Sequence, residues 1–378
     1  MDWVGFNRVE RVGTEPLYIE QAIASAHLTA NGQFTQRCRQ WLEERIGVHA
    51  ALLVHSATAA LEMSAMLVDI GPGDEVIMPS FTFVSTANAF ALRGGVPVFV
   101  DVREDTLNLD ERLVEDAITP RTRAIVPVHY AGVGAEMTAI NEIAGRYGIP
   151  VIEDAAQGIM ASYRGRPLGG LSQLAALSFH ETKNVTCGEG GALLVNDPQL
   201  LERADILREK GTDRSKFTRG QVDKYSWVDL GSSYALSDLN AAFLWAQLEA
   251  ADELTRRRLE VWRQYHDAFA GLEDRGLVRR PIIPEHCRHN AHMYYLLCRS
   301  ADERTRLLGE LNARGVNAVF HYVPLHSAPA GRRLSRAHGQ LPVTERLSAR
   351  LLRLPMWPGL SESQIDQVTS TVIELAEP

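Results

Sequence analysis

Between residue 51 and about residue 200 the chain alternates short, wholly apolar runs with amphipathic stretches. The apolar runs are ALLV (51–54), EVIM (75–78), VPVFVDV (96–102), RAIVPVHY (123–130), IPVIED (149–154), LAALSF (174–179) and ALLV (192–195). Segments such as ERLVEDAI and MTAINEIAGRYG between them carry helical spacing. Strands that are apolar on both faces and separated by helices predict a mostly parallel sheet covered on each side. In such sheets ligands sit beyond the carboxyl ends of the strands. From Ser237 through WAQLEAADELTRRRLEVWRQYHDAF the pattern predicts one long helix running between two domains. Beyond it PIIPEH, a strand at MYYLLC, a helix at ERTRLLGELNARG, a strand at NAVFHYVP and a final helix at SQIDQVTSTVIELA form a smaller α+β unit. The expected division is a large domain over residues 1–250 and a small one over 251–378.

Composition narrows the function more than the fold. A chain of 378 residues that is 45% hydrophobic can bury a sizeable core. With 23% charged residues, no stretch approaches the roughly eighteen apolar residues of a membrane helix. The start, MDWVGFNRVERVG, lacks the basic and apolar parts of a signal peptide, so a cytoplasmic enzyme is expected. A formal charge of −8 argues against nucleic acid as a partner. Four cysteines, Cys38, Cys187, Cys287 and Cys298, show neither CxxC nor metal-ligand spacing, and no metal is expected.

The chemistry gathers at the strand ends. In HSATAALEMSAMLV, small residues open a helix directly after a strand. Ser56 or Thr58 can simply cap that helix, or its free N–H groups can hold an anion. In PSFTFVSTANA, Phe81 and Phe83 are either core residues or a stacking surface for a flat ring. In VIEDAAQG, Asp154 is a helix cap or an acid at a pocket base, with Gln157 three residues on. SFHETKNVTCGEGG then places Lys183 between an apolar strand and glycines, five residues after the hydroxyl of Ser178. A phosphate-binding turn, a stacking aromatic, an acid for a ring nitrogen and a lysine together match the needs of pyridoxal 5′-phosphate (PLP). No GxxxxGK[ST] is present, which excludes a P-loop nucleotidase.

The order SATAAL, TFVSTANA, EDAAQG, SFHETKN, GEGGALLVND, HYVPLH resembles the DegT/DnrJ/EryC1/StrS sugar aminotransferases over nearly the whole chain. The resemblance implies fold type I of the PLP-dependent transferases, aspartate aminotransferase-like. That means a seven-stranded, mostly parallel sheet, a small C-terminal α+β domain and a homodimer with shared active sites. It implies that Lys183 binds the cofactor aldehyde covalently, Asp154 pairs with the pyridine nitrogen and Gln157 bonds the ring hydroxyl. Phe83 would stack on the ring, and Ala57, Thr58 and Ser178 would hold the phosphate. The family's GxNxR segment is replaced by DLGSSYALSD, with Ser233 at the asparagine position and Ala235 at the arginine position. Ser233 would reach the partner's phosphate.

REKGTDRSKFTRGQVDKYSWVDLGSSY, LWAQLEAAD, HNAHMYYLL and VFHYVPLHSAPAG are similar to the transaminases that act on TDP-4-oxo-6-deoxyglucose. These make TDP-4-amino-4,6-dideoxy-D-galactose from L-glutamate and the keto sugar. Lys210, Arg214, Arg219 and Tyr225, with Lys224 and Trp227, would then meet the nucleotide, or form a solvated basic loop. Tyr322 and His326 would close over the sugar. The gluco epimer, another 3-oxo or 4-oxo sugar, a PLP-dependent dehydration and a catalytically silent sugar-nucleotide binder are the competing readings.

Overall fold

The computed structural model describes residues 3–377. Seven strands form the main sheet: β1 (Ala50–Val54), β2 (Glu75–Pro79), β3 (Val96–Val100), β4 (Thr122–Ile125), β5 (Ile152–Asp154), β6 (Leu174–Ser178) and β7 (Gly191–Val195). Their order across the sheet is β3-β2-β4-β5-β6-β7-β1, the parallel bridges Ile125–Val151 and Val128–Asp154 joining β4 to β5. Only β7 runs against its neighbours, β6 and β1. A short strand, Arg336–Ala337, extends the β3 edge.

The uniform apolarity of these runs has a direct cause. Successive side chains of a strand point to opposite faces, and here both faces are covered. Ala50, Leu52, Val54, Leu174, Ala176, Leu193 and Val195 pack into one core under helix α3 (Ala57–Leu67). Ala51, Leu53, Ala175, Leu177, Ala192 and Leu194 pack into a second. Helices α1 (Glu15–Ala24), α2 (Gln33–Ile46) and α6 (Asp238–Glu249) cover that second face. Helices α4 (Val84–Ala91) and α5 (Met137–Tyr147) complete the layers around β2 to β4. All four cysteines are buried free thiols. Among the described residues no helix is long and apolar enough to cross a membrane.

The expected long helix is two. It breaks at Ala250 (φ −97°, ψ 6°), and α7 (Ala251–Ala268) begins at once. Asp252 and Glu253 stand in the first turn of α7, where acidic side chains favour a new helix start. The break separates two environments: α6 packs with α1 and α2, while α7 lends Val261, Trp262 and Tyr265 to a separate core. That core is built around an antiparallel sheet of β8 (Val278–Arg279), β9 (Tyr294–Cys298) and β10 (Leu351–Leu354). It also takes in α8 (Ala301–Ala313), α9 (Glu362–Ala376) and Val4.

NAVFHYVP is not a strand. It makes an isolated bridge at Val319, and Tyr322 adopts φ 30°, a left-handed backbone that a strand cannot contain. The strand at this edge is β10, inside LLRLPMWP, a run that the sequence analysis does not single out.

Candidate active site

The strand order brings distant turns to one end of the sheet. Because β7 runs backwards, its glycine-rich start lies beside the carboxyl ends of β1 and β6. There a cavity of about 490 Å³ opens against the unit built around β8, β9 and β10. Ser56 to Thr58, Thr82, Phe83, Asp154, Gln157, Ser178, Lys183 and Gly190 line the side next to the main sheet. His292, Met293, His321, Tyr322, Arg353 and Met356 line the other, and Phe6 and Asn7 approach from the N-terminal segment.

At the end of β1, Ser56 leaves the strand in an extended conformation and caps α3, its Oγ accepting the Ala59 N–H at 3.1 Å. Helix geometry leaves the N–H groups of Ala57 and Thr58 without intrahelical acceptors, at the positive end of the dipole. Both readings of this turn therefore hold together: Ser56 caps, and the next two residues offer an anion site. Thr58 Oγ1 lies 2.7 Å from Ser85 Oγ. Ser178, at the end of β6, faces the same cavity. Gly191 is explained here too. A Cβ at this position would run into the peptide joining Ser56 to Ala57, so the glycine lets β7 lie against the anion-binding turn. Gly191→Ala is expected to cost about 1–3 kcal/mol of stability by overpacking. It should also weaken PLP binding by displacing the turn; thermal unfolding and a PLP titration measure the two effects.

Asp154 closes β5 and is almost completely buried. Thr86 donates its hydroxyl to Oδ2 at 2.7 Å, Ala156 donates its N–H to Oδ1 at 3.2 Å, and Thr82 backs Thr86 at 2.8 Å. Gln157 accepts the Ala131 N–H through Oε1 at 2.7 Å and donates from Nε2 to the Tyr322 hydroxyl at 3.2 Å. One Nε2 hydrogen stays available to a ligand. Phe81 is core, packed on Tyr130. Phe83 is 56% exposed at the cavity mouth, its ring 6.3 Å from that of Tyr322.

Lys183 as a residue is only half-buried, but its side chain lines the cavity and its amine makes no hydrogen bond or ion pair among the described residues. Burial pulls its pKa from 10.5 down to about 8, opposed by the carboxylate of Asp154 and assisted by the charge of Arg353. Its neighbours are firmly tethered. Asn184 donates to the Asn290 carbonyl at 2.8 Å and accepts from His292 Nδ1 at 2.9 Å. Arg258, buried in α7, holds the carbonyls of Ala291 and His292 at 3.0 and 2.7 Å. Burial drives the imidazoles of His292 and His321 well below their usual range, which keeps both neutral.

Several expected site residues lie elsewhere in this chain. Lys210, Arg214, Arg219 and Tyr225 sit on an exposed stretch outside the cavity, where Trp227 is 77% exposed. Ser233 is exposed and pairs with Glu209. His326 is held by Ser80 at 2.7 Å and Glu345 at 3.2 Å, clear of the cavity lining. Tyr322 does line the cavity. The sequence reading did not single out Arg353, His292, His321, Phe6 or Asn7. Arg353 had one visible signal, a lone cation inside an apolar strand.

A lysine amine of lowered basicity, a buried carboxylate and a helix-end anion site around one cavity fit PLP, and the molecule is a fold-type-I, PLP-dependent sugar aminotransferase. The chain belongs to the DegT/DnrJ/EryC1/StrS aminotransferase family, whose model matches residues 12–373. It is similar to DesV of S. venezuelae at 34% identity and TM-score 0.90, covering 100% of both chains. A family aminotransferase from Brucella abortus shares 32% identity at TM-score 0.88, over 96% of this chain and 95% of that one. The aminotransferase TlmJ from Streptoalloteichus hindustanus shares 30% at TM-score 0.91, over 99% and 98%.

Proposed function

We propose that this enzyme moves the amino group of L-glutamate to carbon 4 of TDP-4-oxo-6-deoxy-D-glucose. The products are TDP-4-amino-4,6-dideoxy-D-galactose and 2-oxoglutarate. The observation that carries the reading is the partnerless amine of Lys183, at about pKa 8, sharing one enclosed cavity with the hydrogen-bonded carboxylate of Asp154. PLP, when bound, supplies the aldehyde that takes up the amino group and a ring that accepts electrons released at the neighbouring carbon.

The residues divide the remaining work. The Ala57 and Thr58 N–H groups and the Ser178 hydroxyl hold the phosphate. The carboxylate side chain of Asp154 would face the ring nitrogen and favour its protonated form by charge pairing. Gln157 would offer its remaining Nε2 hydrogen to the ring hydroxyl, and Phe83 would stack on the ring. Lys183 would anchor the cofactor and supply the amine that moves the proton at the substrate's reacting carbon. Tyr322 borders the sugar. Residues 1–250 and 251–378 form the two domains that close on the site. Lys210, Arg214, Arg219, Tyr225 and Ser233 reach the site of a second copy in a homodimer. The exposed aromatic rings of Phe217, Tyr225 and Trp227 support that role, since large apolar side chains at a surface mark a contact. His326, fixed by Ser80 and Glu345, sets the loop that carries Tyr322. We place the enzyme in the cytoplasm, where nucleotide sugars are made.

Proton NMR of the product from the keto sugar and glutamate tests the assignment. An axial amine at carbon 4 supports it; an equatorial amine, or one at carbon 3, replaces the substrate assignment and keeps the class. Failure to exchange amino groups between glutamate and 2-oxoglutarate would remove transamination itself. A pH test follows from Lys183. Only the neutral amine attacks an aldehyde, so PLP capture by the cofactor-free protein should accelerate with pH up to about 8 and then level off. A midpoint near 10.5, the value of a solvated lysine, would contradict the burial argument.

A further inference from the structure

A second cavity, of about 650 Å³, shares two chain segments with the first. In one segment Gln157 lines the active site, while Ile159 and Met160 line the second cavity. In the other, His292 lines the active site and His289 the second cavity. Asn290, fully buried, fastens the two segments together, its Nδ2 donating to the carbonyls of Gln157 and Ile159 at 2.7 Å each. The apolar lining comes from Trp41 and Ile46 of α2, Leu259 of α7, Ile159, Met160 and Leu168. Three guanidinium groups also line it, and they differ. Arg45 is paired with Asp252, and Arg256 with Glu253 and Glu260 at 2.7 and 3.2 Å. Arg288 makes no hydrogen bond or ion pair through its side chain among the described residues. Its backbone is fixed, because Cys287 and Arg288 pair with Tyr163 and Ser162. Thr255 is only 8% exposed, and its Oγ1 is buried without a partner. Burial holds the His289 imidazole down at about 4, so the ring is neutral. Its Nδ1 accepts the Ala291 N–H at 3.3 Å, which puts the ring proton on Nε2. The polar groups left unspent are therefore donors.

We propose that this second cavity binds a small aromatic carboxylate, and that its occupancy is coupled to the cofactor site through Asn290. The carboxylate takes the free planar fork of Arg288, which matches it in shape and charge. The Thr255 hydroxyl donates to the same ligand, which removes the cost of a buried polar group with no partner. The ring lies against Trp41 and its aliphatic neighbours. Asp252, the one acid of the lining among the described residues, is engaged by Arg45, so a cationic ligand finds no counter-charge. Coupling follows from the shared wall. A ligand here favours the arrangement in which Ile159 and Met160 line its cavity. Asn290 ties that arrangement to the one presenting Gln157 to the active site. The coupling rests on Gln157 contacting the cofactor, as proposed above; the binding does not.

The probe is 1-naphthoate, titrated by calorimetry into the cofactor-free and the PLP-loaded protein, with 1-naphthalenemethanol as its uncharged counterpart. Naphthoate should bind both forms, and about fivefold or more tightly with PLP in place; PLP should gain the same factor when naphthoate is present. Arg288→Gln should weaken naphthoate about 10- to 100-fold through loss of a charge-assisted contact, and Arg288→Lys should recover part of that. Thr255→Val, which exchanges the unpartnered hydroxyl for a methyl, should weaken it about 2- to 10-fold without lowering thermal stability. The alcohol should bind about tenfold or more weakly than the acid. Saturating 2-oxoglutarate, which competes for the active site, should leave naphthoate binding unchanged. Absence of binding at millimolar naphthoate, displacement by 2-oxoglutarate, equal affinity for acid and alcohol, or an unaltered affinity in Arg288→Gln overturns the site. Equal naphthoate affinity with and without PLP overturns the coupling. Should PLP itself fail to bind, the cofactor reading falls, and the titration of the cofactor-free protein still decides the second site. Arg288 is exposed, so its variants are read on a folded protein.

Discussion

Lys183→Ala is expected to reduce transamination by about 10⁴-fold or more, the upper end of what one proton-transferring group contributes. The same substitution should not destabilise the cofactor-free protein. The amine has no partner to lose, and a charge enclosed without compensation costs free energy. The pH dependence has a definite sign. The folded pKa of about 8 lies below the value of 10.5 for a solvated lysine, so the unfolded chain binds more protons between those values. The cost of burying the charge is complete below about pH 8 and gone above about 10.5. Lys183→Ala should accordingly unfold at a higher temperature than wild type near pH 7, and the gap should narrow as pH rises towards 10.5. A variant that is less stable at every pH would show that Lys183 has a structural partner and would remove the case for a reserved amine.

Asp154→Asn is the second large effect. Removing a fixed charge from a site that stabilises charge in the transition state costs about 10²–10³-fold in kcat. Both half-reactions should slow by that amount, since each needs the ring nitrogen protonated. The fold should survive, because the hydroxyl chain can reverse. Asp154 Oδ2 now accepts from Thr86, which accepts from Thr82. With an amide nitrogen at Oδ2, Thr86 can accept from it and donate to Thr82 instead. Stability is therefore expected within about 1 kcal/mol of wild type, the net value of one hydrogen bond. Stopped-flow rates and thermal unfolding separate the two quantities. A drop smaller than tenfold would mean that Asp154 is a structural acid.

The legible parts of this protein were those in which neighbours along the chain carry the signal. All seven apolar runs became strands, because side chains buried on both faces impose an unbroken apolar pattern. Asp154 and Lys183 could be picked out because the first closes such a run and the second lies four residues beyond one. The break at Ala250 left no mark in the helical pattern, since apolar spacing continues across it while the surroundings change. NAVFHYVP reads as a strand by composition, and only tertiary pairing gave that edge to Leu351–Leu354.

Periodicity along one chain states which faces are buried, and that was enough to determine the kinds of elements, the doubly covered sheet and the motifs at its carboxyl edge. It contains no term for which strand lies beside which. The order β3-β2-β4-β5-β6-β7-β1 and the reversal of β7 come from packing across the sheet, and they bring Ser56, Asp154 and Lys183 to one cavity. Tertiary structure alone delivered Arg353, His292 and Phe6 to the same place, because their contacts join segments hundreds of residues apart.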